Sequence, residues 1–308
     1  MKLAGLGIST NADMINGDDE ILGRHLGEIA DAGCSHAELI LHGLDVVVGG
    51  RLQPSRVRRV HDVLRRSGLR FSIHLPYTLN LMDPKYGEPF TRIFEAGLDF
   101  ADTIGAEVVV YHSSWRQPES AHRTINDRDA QELLLRDRDT LRTLGERAAR
   151  SGVDIGVENN AWTDPSAITY GLRPADIVDH VRQIELDNVG ITLDFGHLHL
   201  TSEAYGWDFA DECRTVLPYL KHVHAHDNFA VLEQTGIYNR DFPLGLGDLH
   251  LPMGWGSIAW PEILPLFADY DGIWMMEIEY RLASLFPEIA QAARGLLNLH
   301  QDGAGIVR

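Results

Sequence analysis

The segment 189–197 combines a strand-like apolar run with two side chains that can bind a metal ion. In an extended chain, Ile191 and Leu193 face one side of a sheet while Asp194 faces the other. His197 follows three residues later, near the point where the strand ends. A carboxylate and an imidazole at a strand exit suit a divalent cation. The same residue types are common in ordinary turns, so this segment alone leaves both interpretations open.

Several other predicted strands carry the same kind of side chain at or near their carboxyl end. These residues are His74, His112, Glu158, His224 and Glu277. Alternation places Glu158 on the strand face opposite to Ile155 and Val157, so its carboxylate points away from the surrounding helices. A single acid or histidine here favours a structural role, as a cap or a loop anchor. For the whole set, a metal site is favoured over separate structural roles. Converging ionisable groups need partners, and a metal ion is the simplest partner that they can share.

Eight apolar, strand-like segments alternate with amphipathic helical segments along the chain. The strands are predicted at 3–9, 37–41, 70–74, 107–112, 153–158, 189–194, 222–226 and 273–279. Helices are predicted at 18–32, 129–150, 209–217, 260–267 and 287–299, and one further helix runs from Pro54 to Gly68. Two more helices are predicted to begin at Pro89 and at Pro174. The alternation predicts an α/β protein with a single (β/α)8 barrel, as one domain over 1–308. An open, doubly wound sheet is the competing architecture, but no G-x-G-x-x-G motif follows the first strand. In such a barrel the active site lies at the carboxyl ends of the strands.

The segment 228–247 is rich in glycine and aromatic residues and is predicted to be a loop insertion after the seventh strand. It could form a lid over the site or a contact in a homo-oligomer. Trp162 and Trp255 lie in predicted loops, where they could pack over a substrate or anchor the loop. Histidines on predicted helices and loops are expected at the surface: His25, His36, His42, His61, His122, His180 and His300. His222 is expected to have a structural role.

The charge balance restricts the class of partner. The chain has 27 Lys and Arg against 45 Asp and Glu, a formal net charge of −18 with histidine neutral. Such an acidic protein repels nucleic-acid phosphates unless it carries a local basic patch, so a nucleic-acid partner is disfavoured but not excluded. The two cysteines, Cys34 and Cys213, indicate a reducing compartment. No apolar run approaches membrane-spanning length and no signal peptide precedes the first strand, so a cytoplasmic enzyme is predicted.

With these residues in place, the chain resembles the xylose-isomerase-like TIM barrel superfamily over nearly its full length. Within it, the sequence is most similar to the sugar phosphate isomerase/epimerase group, with endonuclease IV as a relative. The matching stretches are His74-Leu75-Pro76-Tyr77, Tyr111-His112, Val157-Glu158-Asn159, Leu193-Asp194-Phe195-Gly196-His197, His224-Ala225-His226-Asp227, Asp248-Leu249-His250, Met276-Glu277 and the segment 248–260.

The resemblance implies one of two metal arrangements. In isomerase and epimerase members one divalent ion is held by residues that correspond to Glu158, Asp194, His224 and Glu277. In endonuclease IV three zinc ions are held by nine ligands. The positions here that correspond to these ligands are the same four residues together with His74, His112, His197, Asp248 and His250. Three departures disfavour the nuclease: Ser113-Ser114 stands where that pattern has Pro-Gly, His226 replaces an Asn, and Trp255 replaces a Glu. The mixed ligands suit Mn²⁺, Co²⁺ or Mg²⁺ for one ion, and Zn²⁺ or Fe for a polynuclear site.

Together these features predict a metal-dependent isomerase or epimerase acting on a sugar, sugar phosphate or cyclitol through an ene-diolate. Glu158 and Glu277 would be the catalytic acid and base. Substrate contacts are predicted for His74, His112, His197, Trp162 and Trp255. The alternatives are a polynuclear phosphodiesterase, a metal-dependent lyase or hydrolase of oxidised sugars, and a non-enzymatic sugar-binding module. The last would not need so many ionisable groups in one cavity.

Overall fold

The computed structural model describes residues 2–116, 125–161, 167–232 and 241–298. Eight parallel strands form a closed barrel. They are β1 (Gly5–Ser9), β2 (His36–Ile40), β3 (Arg70–His74), β4 (Val108–His112), β5 (Asp154–Glu158), β6 (Val189–Asp194), β7 (Leu220–Ala225) and β8 (Ile273–Met276). Each strand pairs with the next in sequence, and β8 pairs with β1. The predicted (β/α)8 fold is therefore confirmed.

Helices surround the barrel. The α-helices are α1 (Ala12–Ile15), α2 (Asp19–Asp31), α3 (Pro54–Ser67), α4 (Gly87–Ile104), α5 (Asp127–Ala149), α6 (Pro174–Arg182), α7 (Phe195–Tyr205), α8 (Phe209–Val216), α9 (Trp260–Ile263) and α10 (Phe286–Leu296). Short 3₁₀ helices cover Leu41–Gly43, Leu217–Tyr219, Leu264–Phe267 and Tyr280–Leu285, and two small antiparallel sheets pair Val47–Val48 with Arg51–Leu52 and Trp115–Arg116 with Ile168–Thr169. No described helix has both the length and the apolar character of a membrane span.

The main hydrophobic core lies between the barrel and the helices. Val109, Ile155, Val157, Ile191 and Val223 are fully buried there, on the outward faces of their strands. Alternation then turns the intervening side chains toward the barrel axis. This explains why polar residues can occupy one face of strands whose other face is aliphatic.

Two local predictions differ from the structure. Helix α7, which directly follows β6, was not predicted, because its first residues also fit a turn. The Asp194 side chain caps this helix by accepting the backbone N–H of His197 at 2.6 Å. Strand β8 ends at Met276, so Glu277 lies just beyond the strand and not inside it.

The expected surface position is wrong for three histidines, all of which are buried. His25 packs against Tyr280 on the buried face of α2. His36 opens β2 and contacts Glu107 at 3.1 Å. His180 lies 3.0 Å from the buried Asp137. His122 and His300 fall outside the described residues, as do residues 233–240 of the predicted loop insertion.

Candidate functional site

The carboxyl ends of the strands bring the predicted acids and histidines to one mouth of the barrel. In the strand register, Asp194 of β6 lies beside His224 of β7, and Glu158 of β5 lies beside His112 of β4. Glu277 follows β8 directly. Side chains from strands far apart in the sequence therefore meet in one polar region.

Four of these residues form a central group: Glu158, Asp194, His224 and Glu277. His224 Nδ1 lies 2.9 Å from Glu158 Oε1 and 3.5 Å from Glu277 Oε1. It lies 3.9 Å from Asp194 Oδ2. One ligand atom from each of the four residues lies within 4.8 Å of all the others. A divalent ion bound about 2.0–2.2 Å from each ligand atom fits such a spacing.

A first lateral group consists of His74, His112 and Glu158. Glu158 Oε2 lies 3.1 Å from His74 Nε2 and 2.9 Å from His112 Nε2. His74 Nδ1 is 2.7 Å from the carbonyl oxygen of Leu75, which fixes the ring orientation. Because Glu158 belongs to both groups, its two carboxylate oxygens could serve two neighbouring ions.

A second lateral group consists of His197, His226, Asp248 and His250. Asp248 Oδ2 lies 2.8 Å from His250 Nε2 and 3.3 Å from His197 Nε2. The rings of His226 and His250 stack in parallel, with their centroids 4.1 Å apart. His250 has φ 47°, a left-handed conformation that costs energy in a non-glycine residue and tends to occur at functional sites.

Local backbone features hold these side chains in place. The Asn159 side chain accepts the N–H of Asp194 at 2.8 Å and donates to its carbonyl oxygen at 2.9 Å, so it fixes the end of β6. A Cβ on Gly196 would lie 2.0 Å from the ring of His226. Glycine is therefore required at position 196 for His226 to approach Asp194, whose Oδ2 is 3.0 Å from His226 Nε2.

Opposite charges set the ionisation of the central group. Burial by itself raises the pKa of Glu158, but the imidazoles of His112 and His224 hold that pKa well below its usual value. Burial lowers the pKa of His224, but the carboxylates of Glu277, Glu38 and Glu158 hold it well above its usual value. Without a metal ion, this region pairs carboxylates with a protonated imidazole.

The second lateral group has the same electrostatic arrangement. Burial opposes the charge on Asp248, yet His250, His226 and His197 hold the pKa of this carboxyl well below its usual value. Burial also opposes a charged His197, but Asp194 and Asp248 raise its pKa well above the usual value. A bound cation could take the place of the protons that these imidazoles hold.

Two buried atoms support the fit of a cation in the second lateral group. Among the described residues, neither His226 Nδ1 nor Asp248 Oδ1 has a hydrogen-bond partner. The two atoms lie 3.6 Å apart, too far for a hydrogen bond. Buried polar atoms without partners are costly, and one ion between them would satisfy both.

The structure brings together all nine residues of the predicted polynuclear ligand set, in the three groups above. The two tryptophans differ from them. Trp255 is 51% exposed on a turn where its N–H donates to the carbonyl oxygen of Pro252, and its contact with substrate stays a prediction. Trp162 lies outside the described residues.

Sequence reasoning did not include two residues of this region, Glu38 and His226, among the candidate ligands. Strand alternation gave a usable signal for both. His226 shares the parity of His224 in the His224-Ala225-His226 stretch, and Glu38 is an acid inside the apolar segment His36–Ile40. His222, expected to be structural, is fully buried and contacts Glu38.

The chain resembles known proteins in sequence and in fold. It is 26% identical over 231 residues to the uncharacterized protein MJ1311 of Methanocaldococcus jannaschii, covering 73% of this chain and 70% of that protein. A D-tagatose 3-epimerase-like protein superposes with a TM-score of 0.70 at 23% identity, covering 96% of this chain and 98% of the other. A D-psicose 3-epimerase gives 0.69 at 16% identity, covering 95% and 99%. The 3-keto-D-glucoside 4-epimerase of E. coli gives 0.67 at 17%, covering 94% and 98%.

At these identities the solved structures establish the shared fold. The sequence itself matches the family described as xylose isomerase-like TIM barrel over residues 26–300. This match covers most of the chain and confirms the resemblance inferred from the strand-end motifs. The protein belongs to the xylose isomerase-like TIM barrel family.

Proposed function

We propose that this protein is a divalent-metal-dependent isomerase or epimerase of a sugar, sugar phosphate or cyclitol. The observation that carries the proposal is the central group, in which three carboxylates and one imidazole converge at the barrel mouth. The epimerases of similar fold support a sugar-like substrate. The ligand set suits Mn²⁺, Co²⁺ or Mg²⁺.

Glu158 and Glu277 are the proposed acid and base. A bound ion would supply positive charge that stabilises an ene-diolate. Glu158 and Glu277 come from β5 and from the end of β8, which are not adjacent in the barrel, so they can approach one carbon from opposite sides. One carboxylate takes the proton from the carbon next to the carbonyl, and the other returns a proton on the opposite face.

The two glutamates differ in their surroundings. Both oxygens of the fully buried Glu158 are close to imidazoles, which suits a residue that holds metal. The side chain of Glu277 retains 10% exposure, so it is the better placed of the two to meet a substrate. His197 lies 3.7 Å from Glu158 and 3.3 Å from Asp248, and it would orient a substrate hydroxyl.

Exchange of solvent deuterium into ketoses tests this proposal. Protein loaded with Mn²⁺ is incubated in D₂O with D-fructose, D-tagatose, D-psicose, L-ribulose, their phosphates and inosose-type cyclitols. Incorporation at the carbon next to the carbonyl is expected for at least one compound. Glu277→Gln should abolish it, while the exposed Glu262→Gln serves as the control. Absence of exchange and of epimerised product across the panel would contradict the proposal.

A second candidate function is supported by the two lateral groups. With three metal sites, the same mouth would suit phosphodiester hydrolysis, in which metal ions activate the attacking water. The net charge of −18 opposes binding to a nucleic-acid backbone. Elemental analysis separates the candidates, because about one ion per chain favours isomerisation and about three favour hydrolysis. Cleavage of abasic DNA by the metal-loaded protein would favour the second candidate directly.

A further inference from the structure

A polar cluster lies inside the barrel, directly below the central group. Its centre is Glu38 of β2, a fully buried acid that is outside the predicted ligand set. Ser72 of β3 and His222 of β7, also fully buried, contact it. A barrel interior normally accepts aliphatic side chains at such positions, so a buried carboxylate here requires a reason.

The two oxygens of Glu38 have different partners. Oε2 accepts the Ser72 hydroxyl at 2.9 Å and lies 3.1 Å from His222 Nε2. Oε1 lies 2.9 Å from His224 Nε2. Ser72 and His222 therefore fix the carboxylate from one side, and its other oxygen is turned toward His224.

The ring of His224 connects this cluster to the central group. Its Nε2 faces Glu38, while its Nδ1 faces Glu158 and Glu277 at 2.9 and 3.5 Å. Glu38 Oε1 and His224 Nε2 lie 2.9 Å apart, and among the described residues neither atom forms a well-aligned hydrogen bond. Each of these buried atoms thus depends on the other for a polar partner.

We infer that Glu38 is a positioning residue that holds the proton of His224 on Nε2 and leaves Nδ1 free to bind the ion. Metal-bound histidines commonly donate their second ring N–H to a carboxylate, which sets the tautomer and the ring orientation. The inference rests on the metal dependence in the proposed function, and it is independent of the substrate. A separate ion held by Glu38, His222 and His224 is less favourable, because Oε2 is already engaged by two donors.

Metal affinity and the histidine tautomer test the inference without any activity assay. Binding of Mn²⁺ is followed by the loss of the free-ion electron paramagnetic resonance signal, for the wild type, Glu38→Gln and Glu38→Asp. Glu38→Gln keeps the shape but can present an amide N–H₂ to Nε2, and Glu38→Asp keeps the charge but shortens the reach. We expect the central site to weaken by about 10–100-fold in both variants, the range typical for loss of such a partner. In the Zn²⁺-loaded wild type, ¹⁵N shifts should show metal on His224 Nδ1 and hydrogen on Nε2.

Glu107→Gln is the matched control. Glu107 also pairs with a buried histidine of the same barrel, since its Oε1 lies 3.1 Å from His36 Nε2, but it contacts none of the proposed ligands. The affinity of the Glu107→Gln variant for Mn²⁺ should stay within about threefold of the wild-type affinity. This change is smaller than the one expected when the partner of a metal ligand is lost. Far-UV circular dichroism and a thermal melt establish folding, and Glu38→Asp decides the result if Glu38→Gln does not fold.

The outcomes separate the inference from the proposed function. Wild-type affinity in a folded Glu38 variant would overturn the inference alone. A wild-type protein that binds no divalent ion would overturn both. A loss of one equivalent of bound ion in Glu38→Gln, with the central site unchanged, would overturn the positioning role and indicate a separate ion at Glu38.

Discussion

Loading the central group with a divalent ion should release one proton. In the metal-free protein the pKa of His224 is held well above its usual value by Glu277, Glu38 and Glu158, against the effect of burial, so this imidazole is charged at pH 7. An ion needs the lone pair of a neutral imidazole. The carboxyls of Glu158 and Asp194 have lowered pKa values and are already ionised, so they contribute no proton.

The sign and size of the pH effect follow from this count. Below the folded-state pKa of His224, each rise of one pH unit should tighten binding about tenfold, and above that pKa the affinity should level off. An additional ion in the second lateral group would release up to two more protons, because the pKa values of His197 and His226 are also raised.

Isothermal titration calorimetry in buffers of different protonation enthalpy measures the number of released protons directly. Mn²⁺ is titrated into metal-free protein at several pH values from 6 to 7.5. The variant His61→Asn, which changes a histidine on α3 away from the mouth, should leave the count unchanged. Affinity that is constant over this range, with no proton released, would refute the assignment of His224 as a charged residue displaced by the ion.

Three further predictions concern metal retention, acid stability and loop folding. Glu158→Gln should lose more bound metal than Glu277→Gln, because both carboxylate oxygens of Glu158 lie 2.9–3.1 Å from imidazole nitrogens of the proposed ligands; equal metal content by elemental analysis would contradict this. Burial and Arg24 lower the pKa of His25 to about 4. Because the unfolded chain binds this proton more readily, the free energy of unfolding is highest above pH 6.5 and decreases toward pH 4. Protonation of His25 should make the free energy of unfolding about 2 kcal/mol lower at pH 5 than at pH 7.5. The variant His25→Leu should remove that part of the pH dependence in urea unfolding. Asp227→Asn should destabilise the protein by about 2–4 kcal/mol, because the carboxylate accepts three backbone N–H groups and one indole N–H and an amide can accept only some of them. A melting temperature equal to that of the wild type would disprove this last expectation.

The sequence determined the order of strands and helices and the face on which each strand-end residue lies. Alternation with a period of two is a local property, so the residue pattern alone places Glu158, Asp194 and His224 on the axial face. Local signals also fixed several boundaries. Helix α3 begins at Pro54 and ends before Gly68, which adopts a left-handed conformation. The start of α7 was less determined, because Asp194 suits both a turn and a helix cap.

Only the tertiary structure decided which axial side chains meet across the barrel. Glu38 and His222 are 184 residues apart in the chain, and their contact depends on how the sheet closes, which no local pattern records. The same holds for His226, whose approach to Asp194 requires a glycine at position 196 on another element. Periodicity gives the side of a strand, whereas closure and stagger of the barrel set the distances between side chains. The grouping of the ionisable residues at the mouth of the barrel is therefore a property of the folded barrel.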